Sequence, residues 1–270
     1  MAYKADVIVV TYNQVGLCRQ HVQAIFNNTD FRDYRVILVN NGHPGAMDMY
    51  DKAHPRLKIV QMDENAGWEG GIAEGLKHSD AEFVVFSNDD IFIPQASSQW
   101  LGRFLELFQR DPSVAAVGPS SNVVMGMQNA FITCETRLVV PKFLIGFFLM
   151  LRRSALDAVG GMNLDFRGGD DLDLSIRLRN AGHKLVARRD VYIHHHGFMT
   201  GNSVHGDHTK PEGWNSKRMT EKTNISLIRK HGFKAFFETF SGAWEPYSFP
   251  AHKEADIALP EVQPGVLGLV

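Results

Sequence analysis

The sequence predicts an α/β protein with a mostly parallel central sheet and helices on both faces. Short runs rich in valine and isoleucine recur through the first 90 residues, and helical patterns separate them. Apolar runs of this length, bounded by polar or glycine-containing turns, are typical of strands buried on both faces. Their alternation with helices favours a parallel strand order. The composition of the 270 residues, 44% hydrophobic and 21% charged, is typical of a globular protein.

The first half of the chain contains four predicted strands and two predicted amphipathic helices. Cys18, Val22 and Ile25 have the spacing of one helical face, which places a helix after the first strand. A second apolar stripe runs through SSQWLGRFLELFQRD (97–111), after the fourth strand. The predicted strands are VIVV (7–10), RVILV (35–39), LKIVQM (57–62) and FVVF (83–86).

The second half of the chain is less regular. Gly160 and Gly161 end a short helix, and Gly182 ends a longer helix that begins at Asp170. The remaining predictions are strands at 113–118 and 143–151, a strand, turn and strand over 184–197, a loop at 200–215, a helix at 217–231 and a tail without clear structure from about 244.

Net charge and cysteine content exclude several classes of protein. The formal net charge of -2 offers no global field for polyanions, so we expect no stable binding to nucleic acid. Cys18 and Cys134 lie far apart in sequence and are predicted to be reduced thiols. The first residues have no signal-peptide pattern, and the longest apolar run, FLIGFFLML (143–151), is too short to span a bilayer. We therefore expect a cytoplasmic location.

Polar side chains follow the four strands, each at the carboxyl end. Ligands of open parallel sheets bind at this edge, in the crevice outside the strand ends. We therefore expect four polar loops to converge on one crevice. The side chains concerned are Asn13, Asn40, Asn41, Asn65, Asp89 and Asp90.

In the run FVVFSNDDIF (83–92), the apolar residues are followed by Asn88, Asp89 and Asp90. Neighbouring carboxylates repel each other and lose solvation when they are buried, so the fold alone gains little from them. Hard cations such as Mg²⁺ and Mn²⁺ prefer carboxylate oxygens and often bridge them to substrate phosphates. The run predicts either a divalent-cation site or a solvated acidic turn.

A second acidic group opens the later helix. Asp170 and Asp173 share one face of this helix, whereas Asp171 points elsewhere. A carboxylate here can act as a general base if an acceptor hydroxyl lies within hydrogen-bond reach. Capping and compensation of the helix dipole are the structural alternative. Gly168 and Gly169 indicate backbone that closely approaches another group.

Two further segments have weaker signals. In YIHHHGF (192–198), His194 and His196 project to one face of a strand and His195 to the other. Imidazole binds borderline metals including Mn²⁺, although a structural role is the alternative. The glycine-rich NAGWEGGIAEG (65–75) is typical of backbone that meets phosphate or sugar hydroxyls, but it fits neither a P-loop nor a dinucleotide fingerprint.

Taken in order, these segments resemble the inverting nucleotide-sugar glycosyltransferases of family 2. The resemblance implies the GT-A fold, a Rossmann-like, mostly parallel sheet flanked by helices, with a small additional antiparallel region. The matching stretches span residues 7 to about 200. They are VIVVTYN, VILVNNG, ENAGWEGGIAEGL, FVVFSNDD, FLMLRRSALDAVGGMNLDF, GGDDLDLSIRLRNAGHK and VYIHHHG.

The resemblance implies a role for each matching position. Asp171, in the position of the family's Glu-Asp pair, would be the catalytic base, with Asp170 beside the acceptor. Asp90 would hold Mn²⁺ or Mg²⁺, and His194 or His196 would complete the metal site. The positions that would bind the donor are Thr11, Tyr12, Asn13, Asn40, Asn41, Asn65, Gly67, Asn88 and Asp89.

Three positions depart from the family pattern. The second strand ends in Asn40-Asn41 where the family commonly has Asp-Asn, which weakens inference about the base bound. The first acid of the metal turn is Asn88, and the Glu of the Glu-Asp pair is Asp170. The last change leaves the base at Asp171 in place.

The implied reaction is metal-dependent transfer of a sugar from a nucleotide-diphosphate donor to an acceptor hydroxyl, with inversion at the anomeric carbon. A nucleotide- or carbohydrate-binding module that has lost activity is one alternative. A sugar nucleotidyltransferase is a weaker one, because TYNQVGLCRQ (11–20) is a poor triphosphate-binding loop. The acceptor class stays open between a glycan, a lipid-linked glycan and another hydroxyl compound.

The resemblance also divides the chain. Residues 1–240 would form one domain, with a nucleotide-sugar half over about 1–120 and an acceptor half over about 121–240, and residues 241–270 a tail. The loop at 200–215 is a candidate lid, where Trp214 would contact the acceptor. Trp68 would stack on a sugar or belong to the core. The basic and aromatic segment 217–240 is compatible with contact to a membrane surface, although a packing helix is favoured.

Overall fold

The protein folds around a nine-stranded sheet flanked by helices, and a two-stranded ribbon lies beside it. The computed structural model describes residues 2–44, 54–164, 166, 168–197, 199 and 217–250. The strands are β1 (Ala5–Thr11), β2 (Tyr34–Asn40), β3 (Leu57–Gln61), β4 (Phe83–Ser87), β5 (Ile91–Phe92), β6 (Val114–Ser120), β7 (Leu138–Pro141), β8 (Phe148–Arg152), β9 (Lys184–Tyr192), β10 (His194–His195) and β11 (Trp244–Pro246). The helices are α1 (Val15–Asn27), α2 (Gly67–Lys77), α3 (Trp100–Arg110), α4 (Arg153–Ala158), α5 (Asp170–Asn180) and α6 (Lys217–Phe240).

The sheet has the order β11-β7-β9-β6-β8-β4-β1-β2-β3. Strands β1 to β4 are mutually parallel, as the alternation of strands and helices predicts. β8 runs antiparallel between β4 and β6, and β7 and β11 add an antiparallel edge. β5 and β10 pair as the separate antiparallel ribbon. The predicted α/β class with a small antiparallel region is confirmed.

The sheet is buried on both faces because its strands alternate between two apolar clusters. Val7 and Val9 of β1 belong to the cluster under α1 and α3, whereas Ile8 and Val10 belong to the cluster that includes Ile72 of α2. Successive side chains of a strand point to opposite faces, so a continuous valine and isoleucine run fills both layers.

The glycines of the 65–75 segment serve helix packing. A Cβ added at Gly71 would lie 2.5 Å from Val10 Cγ1, and one added at Gly75 would lie 2.4 Å from Ile8 Cγ2. α2 therefore lies closer to β1 than any larger residue would allow. These two glycines sit inside the helix, and only the first residues of the segment remain to face a ligand.

Four predicted elements differ from the structure. The apolar run at 143–151 becomes a strand only from Phe148, and the helix predicted at 217–231 continues past a kink at Gly232 (φ +82°) to Phe240. Within the strand, turn and strand predicted over 184–197, β9 continues to Tyr192 with a register shift against the end of β6, and β10 follows at His194. The tail predicted to lack structure contributes β11, which pairs with β7.

Among the described residues, Cys18 and Cys134 are not joined in a disulfide, as predicted. Within the same residues, no helix combines the length and the apolarity needed to cross a bilayer.

A buried ion-pair cluster fixes α5 to α6. Asp173, fully buried on α5, receives Arg177 Nε at 2.8 Å, Lys230 Nζ at 2.8 Å and His231 Nε2 at 2.7 Å. Burial acts to raise the pKa of Asp173, but the hydrogen bonds from Lys230 and His231 and the charge of Arg177 outweigh it and hold the pKa below its usual range. The cluster therefore contributes stability at neutral pH that is lost as the pH falls through this lowered pKa.

We expect Asp173→Ala to lower the free energy of unfolding by about 3–5 kcal/mol, because it leaves buried cations without a partner. Asp157→Ala is the matched control, since Asp157 forms an i,i+4 pair with Arg153 but is 58% exposed. That change should cost less than about 1 kcal/mol. Urea denaturation at neutral pH measures both values, and equal losses would contradict the assignment.

Candidate active site

The acidic turn after β4 is buried, with Asp89 and Asp90 each only 4% exposed. Thr11, at the end of β1, donates its hydroxyl to Asp89 Oδ2 at 2.8 Å. The amide of Met199 lies 3.4 Å from Asp90 Oδ2. These carboxylates face protein partners, so the solvated acidic turn considered from the sequence is not what the structure shows.

His195 is the histidine that meets the acidic turn. Its Nε2 lies 3.1 Å from Asp90 Oδ1 and 3.3 Å from Asn88 Nδ2, and its ring stacks on Phe147 at 5.2 Å between centroids. Burial acts to raise the pKa of Asp90, but the hydrogen bond and charge of His195 outweigh it and hold the pKa below its usual range.

In the tautomer that carries its proton on Nδ1, His195 would offer its other ring nitrogen to a cation. Its Nδ1 lies 3.1 Å from the Val123 carbonyl, to which it can donate only when protonated. A neutral ring would then turn the Nε2 lone pair toward Asp90 Oδ1, and two acceptors at 3.1 Å need a proton or a cation between them. Carboxylate oxygen with imidazole nitrogen is a donor pair that suits Mn²⁺.

Asp90 and His195 are two candidate metal ligands. Among the residues that the structure describes, no group of three or more histidine, cysteine, aspartate or glutamate side chains is arranged to hold a metal. This is compatible with Mg²⁺ or Mn²⁺ bound through one or two protein side chains, with substrate phosphates and water as the remaining ligands. Asp90 and His195 therefore fit a divalent cation whose remaining ligands would come from substrate and water.

The structure favours His195 over the two histidines that the sequence prediction named. His194 Nδ1 lies 3.2 Å from the Tyr192 hydroxyl, and the exposed His196 packs its ring 5.1 Å from that of His194. His195 faces inward because β10 pairs with β5, directly after the acidic turn. No periodicity in the sequence indicates this pairing.

A two-residue backbone segment joins the acidic turn to the head of α5. The Phe147 carbonyl accepts the amide of Asn88 at 2.9 Å, and the Gly146 amide donates to Asp171 Oδ2 at 3.2 Å. The neighbouring Leu172 amide donates to Asp171 Oδ1 at 2.8 Å. Since adjacent residues contact both acidic groups, Asn88–Asp90 and Asp171 lie beside the same backbone segment.

Asp171 belongs to a cluster of three carboxylates with Asp170 and Glu69. Burial, and then the charges of Asp171 and Glu69, raise the pKa of Asp170 well above its usual range. Burial is also the main cause that raises the pKa of Asp171, with a smaller contribution from Glu69. Glu69, a buried residue of α2, was not identified from the sequence, where it resembles an ordinary first-turn acid.

The predicted donor-binding loops converge as expected, and several of their side chains position backbone. Asn41 donates to Asn65 Oδ1 at 3.0 Å and to the Gly67 carbonyl at 2.9 Å, and its Oδ1 accepts the Ala66 amide. Asn65 Oδ1 also accepts the Gly67 amide at 2.9 Å. Asn41 thereby holds the first residues of α2 against the end of β2.

Three other predicted residues occupy the same edge. Asn40 is fully buried and donates to Gln61 Oε1 and to the His43 carbonyl, so its carboxamide shapes the loop after β2. The Tyr12 ring packs edge-on against His43, at 5.9 Å between centroids. Asn13 Oδ1 lies 3.4 Å from Gln14 Nε2, at the start of α1.

His21 supports the acidic turn from beneath. Its Nε2 lies 2.8 Å from Ser87 Oγ, and Ser87 donates to the Asn88 carbonyl at 2.9 Å. Full burial lowers the pKa of His21 to about 3, despite the charge of Asp90, so the ring is neutral and donates from Nε2. Only the packing of α1 against β4 in the folded protein identifies His21 as a support of the acidic turn.

The two tryptophans named from the sequence and several arginines of the second half of the chain remain to be placed. Trp68 packs edge-on against Phe86 and approaches Gly146, where an added Cβ would lie 3.2 Å from the indole. Trp214 and the candidate lid at 200–215 lie outside the described residues. Five arginines of the second half of the chain, which could otherwise bind phosphate, have protein partners; they are Arg152, Arg153, Arg177, Arg188 and Arg189.

The fold and the cleft define a class of protein, the GT-A glycosyltransferases. The structure is similar to the mannosyltransferase PcManGT of Pyrobaculum calidifontis, solved with GDP-Man and Mn²⁺, with a TM-score of 0.66, 19% identity and coverage of 90% of this chain and 69% of that one. It is also similar to Staphylococcus aureus TarS 1–349 with UDP, with a TM-score of 0.63, 14% identity and coverage of 87% and 70%. At these identities the likeness shows the fold alone.

The chain belongs to glycosyl transferase family 2, whose model matches residues 6–160. The uncharacterized protein Rv1525 of Mycobacterium tuberculosis is 29% identical over 205 residues, which cover 67% of this chain and 73% of that protein. The pre-mycofactocin glycosyltransferase of the same organism is 28% identical over 174 residues, or 58% of this chain and 36% of that protein. The resemblance drawn from the sequence is confirmed, and the protein is a glycosyltransferase.

We expect Glu69→Gln to lower the pKa of Asp170, because the substitution removes a charge that disfavours ionisation of this carboxyl. ¹³C NMR titration of the side-chain carboxyls measures the change. Glu74→Gln, on the same helix and paired with Lys77, is the control and should leave the titration of Asp170 unaltered. An upward shift or no shift in Glu69→Gln would contradict the proposed cluster.

Proposed function

We propose that the protein is a metal-dependent inverting glycosyltransferase that uses a nucleotide-diphosphate sugar, with Asp171 as the general base. One observation carries the proposal: Gly146 and Phe147 contact the two acidic groups through adjacent backbone positions. A donor diphosphate beside Asp90 therefore places its sugar toward Asp171. Family membership and the GT-A fold support the donor class.

Asp90 and His195 would hold the divalent cation, in place of the histidine pair named from the sequence. When bound, the cation supplies positive charge that neutralises the leaving diphosphate. His21, Ser87 and Thr11 keep the turn in position, since their hydrogen bonds fix Asn88 and Asp89. Their contribution is the preorganisation of the site before the donor binds.

Asp171 is suited to accept a proton. Backbone amides of Gly146 and Leu172 orient its two oxygens, and the raised pKa of the carboxyl brings its basicity closer to neutral pH. In the proposed reaction, the acceptor oxygen forms a bond to the anomeric carbon as the bond to the diphosphate oxygen breaks. The acceptor proton passes to Asp171, and a single displacement inverts the configuration.

An inactive binding module is the main competing function. Asn40 and Asn88, which stand where acids are common, motivated this alternative. The hydrogen bond from Asn40 to the His43 carbonyl supports a positioning role, and Asp90 with His195 would form a metal site that does not need an acid at 88. These contacts favour the enzyme. A sugar nucleotidyltransferase is less compatible, because family 2 membership covers the region after β1.

We expect Asp171→Asn to reduce sugar transfer by about a hundredfold to ten-thousandfold, because the variant lacks the base that removes the acceptor proton. Nucleotide binding with Mn²⁺ should persist. Assays of donor hydrolysis and of sugar transfer, each with and without Mn²⁺, measure the effect. Asp157→Asn, at an exposed position of α4, is the control. Absence of Mn²⁺-dependent turnover in the wild type with a range of donors would favour the inactive module.

We expect His195→Ala to abolish most of the Mn²⁺-dependent thermal stabilisation by a nucleoside diphosphate, because it removes one of two protein ligands. The exposed His196→Ala is the control and should retain it. A thermal-shift screen of UDP, GDP, dTDP and CDP with Mn²⁺ gives the reading and identifies the donor nucleotide. Loss in His196→Ala with retention in His195→Ala would restore the ligand set predicted from the sequence.

A further inference from the structure

The last part of α6 exposes an aromatic surface. Phe233 and Phe237 are 62% and 63% exposed and contact each other at 5.3 Å between ring centroids. Phe240 and, on β11, Trp244 extend the surface and are 42% and 38% exposed. Phenylalanine at spacings of four and then three residues forms one helical face. We refer to Phe233, Phe237, Phe240 and Trp244 as the aromatic surface.

Phe233 and Phe237 do not belong to the apolar cluster that attaches the helix to the protein, whereas Phe240 contacts Phe143 of that cluster at 6.3 Å between ring centroids. Ala235 and Phe236 pack against the cluster that contains Phe166, Leu172 and Ile176. The helix is therefore apolar on two sides, and only the inner side is covered. Contiguous exposed apolar residues of this kind mark an interaction surface.

Positive charge accompanies the aromatic surface. Residues 221–240 contain four basic and two acidic side chains. Lys234, next to Phe233 in sequence, is itself 90% exposed, and its Nζ lies 4.0 Å from Glu238 Oε1. In the preceding turn, Arg229 and Lys230 line, with Asn163, Phe166 and Ser226, an open cavity of about 420 Å³. A partner with an apolar layer beneath a layer of negative charge would complement both features.

We propose that the aromatic surface, with Arg229 and Lys234, docks onto the surface of an anionic lipid bilayer. The phenylalanine rings and Trp244 enter the interface, and the cations contact lipid phosphates. A second copy of the chain complements the surface less well, because a two-fold contact brings the same basic side chains of both copies together. Docking in this way does not require the transfer reaction.

The test is co-sedimentation of the full chain with vesicles of phosphatidylcholine alone and of phosphatidylcholine with about one-third phosphatidylglycerol. We expect binding to the anionic vesicles that weakens in high salt, because screening shortens the range of surface charge. Phe233→Ser with Phe237→Ser should weaken the binding by roughly tenfold or more, and Lys234→Glu should also reduce it. These residues lie outside the catalytic site, so donor hydrolysis should be unchanged.

Phe131→Ser is the matched control, because Phe131 is 79% exposed and lies on the connection between β6 and β7, not on α6 or β11. Retained binding in this variant and loss in the double variant support the proposal. It is overturned if the wild type does not sediment with anionic vesicles, if neutral vesicles bind equally well, or if Phe131→Ser loses binding as much as the double variant. Light scattering that shows a dimer dissociated by the double variant would assign the surface to self-association.

Discussion

The backbone at Gly146 and Phe147 is the constraint on which the rest of the site depends. β4 and the strand that follows this segment, β8, are antiparallel neighbours, so the residues before β8 lie against the turn after β4. The same residues reach the head of α5 through the hydrogen bond from Gly146 to Asp171. Gly146 has no side chain, which lets Trp68 and Asp171 approach it from opposite elements. One insertion of an antiparallel strand into a parallel sheet thus brings two acidic groups to one cleft.

Three groups of acids have different environments, and these environments favour different roles. Asp89 and Asp90 are matched by Thr11 and His195, an arrangement in which a cation can replace a proton. Asp173 is matched by arginine, lysine and histidine, and it holds α6 in place. Asp171, two residues earlier on the same helix, has acidic neighbours and a raised pKa. The same residue type is a structural anchor at one position and the proposed proton acceptor at the other, because burial raises the pKa of Asp171, whereas the cations beside Asp173 outweigh its burial.

Local pattern explains why much of the fold was predictable. The four parallel strands and the helices α1, α3 and α5 come from runs whose apolar spacing has one structural solution, and the chain order of strand and helix then requires a mostly parallel sheet. The crevice at the strand ends follows from the same topology. Errors fell where pairing partners decide the outcome: the late start of β8, the continuous β9 and the short strand β11 all depend on a neighbouring strand. Hydrogen-bonding partners distant in sequence leave no periodic signal.

The sequence by itself determined which residue types reach the cleft: the acids after β4, the acids that open α5 and the asparagines after β1 and β2. Each follows directly from its place at the end of a strand or the start of a helix. Only the tertiary structure decided which of three consecutive histidines faces Asp90, and that Glu69 joins Asp170 and Asp171. The physical reason is that the direction of a side chain on a two-residue strand, and the electrostatic field at a carboxyl, are set by atoms from segments far away in the chain.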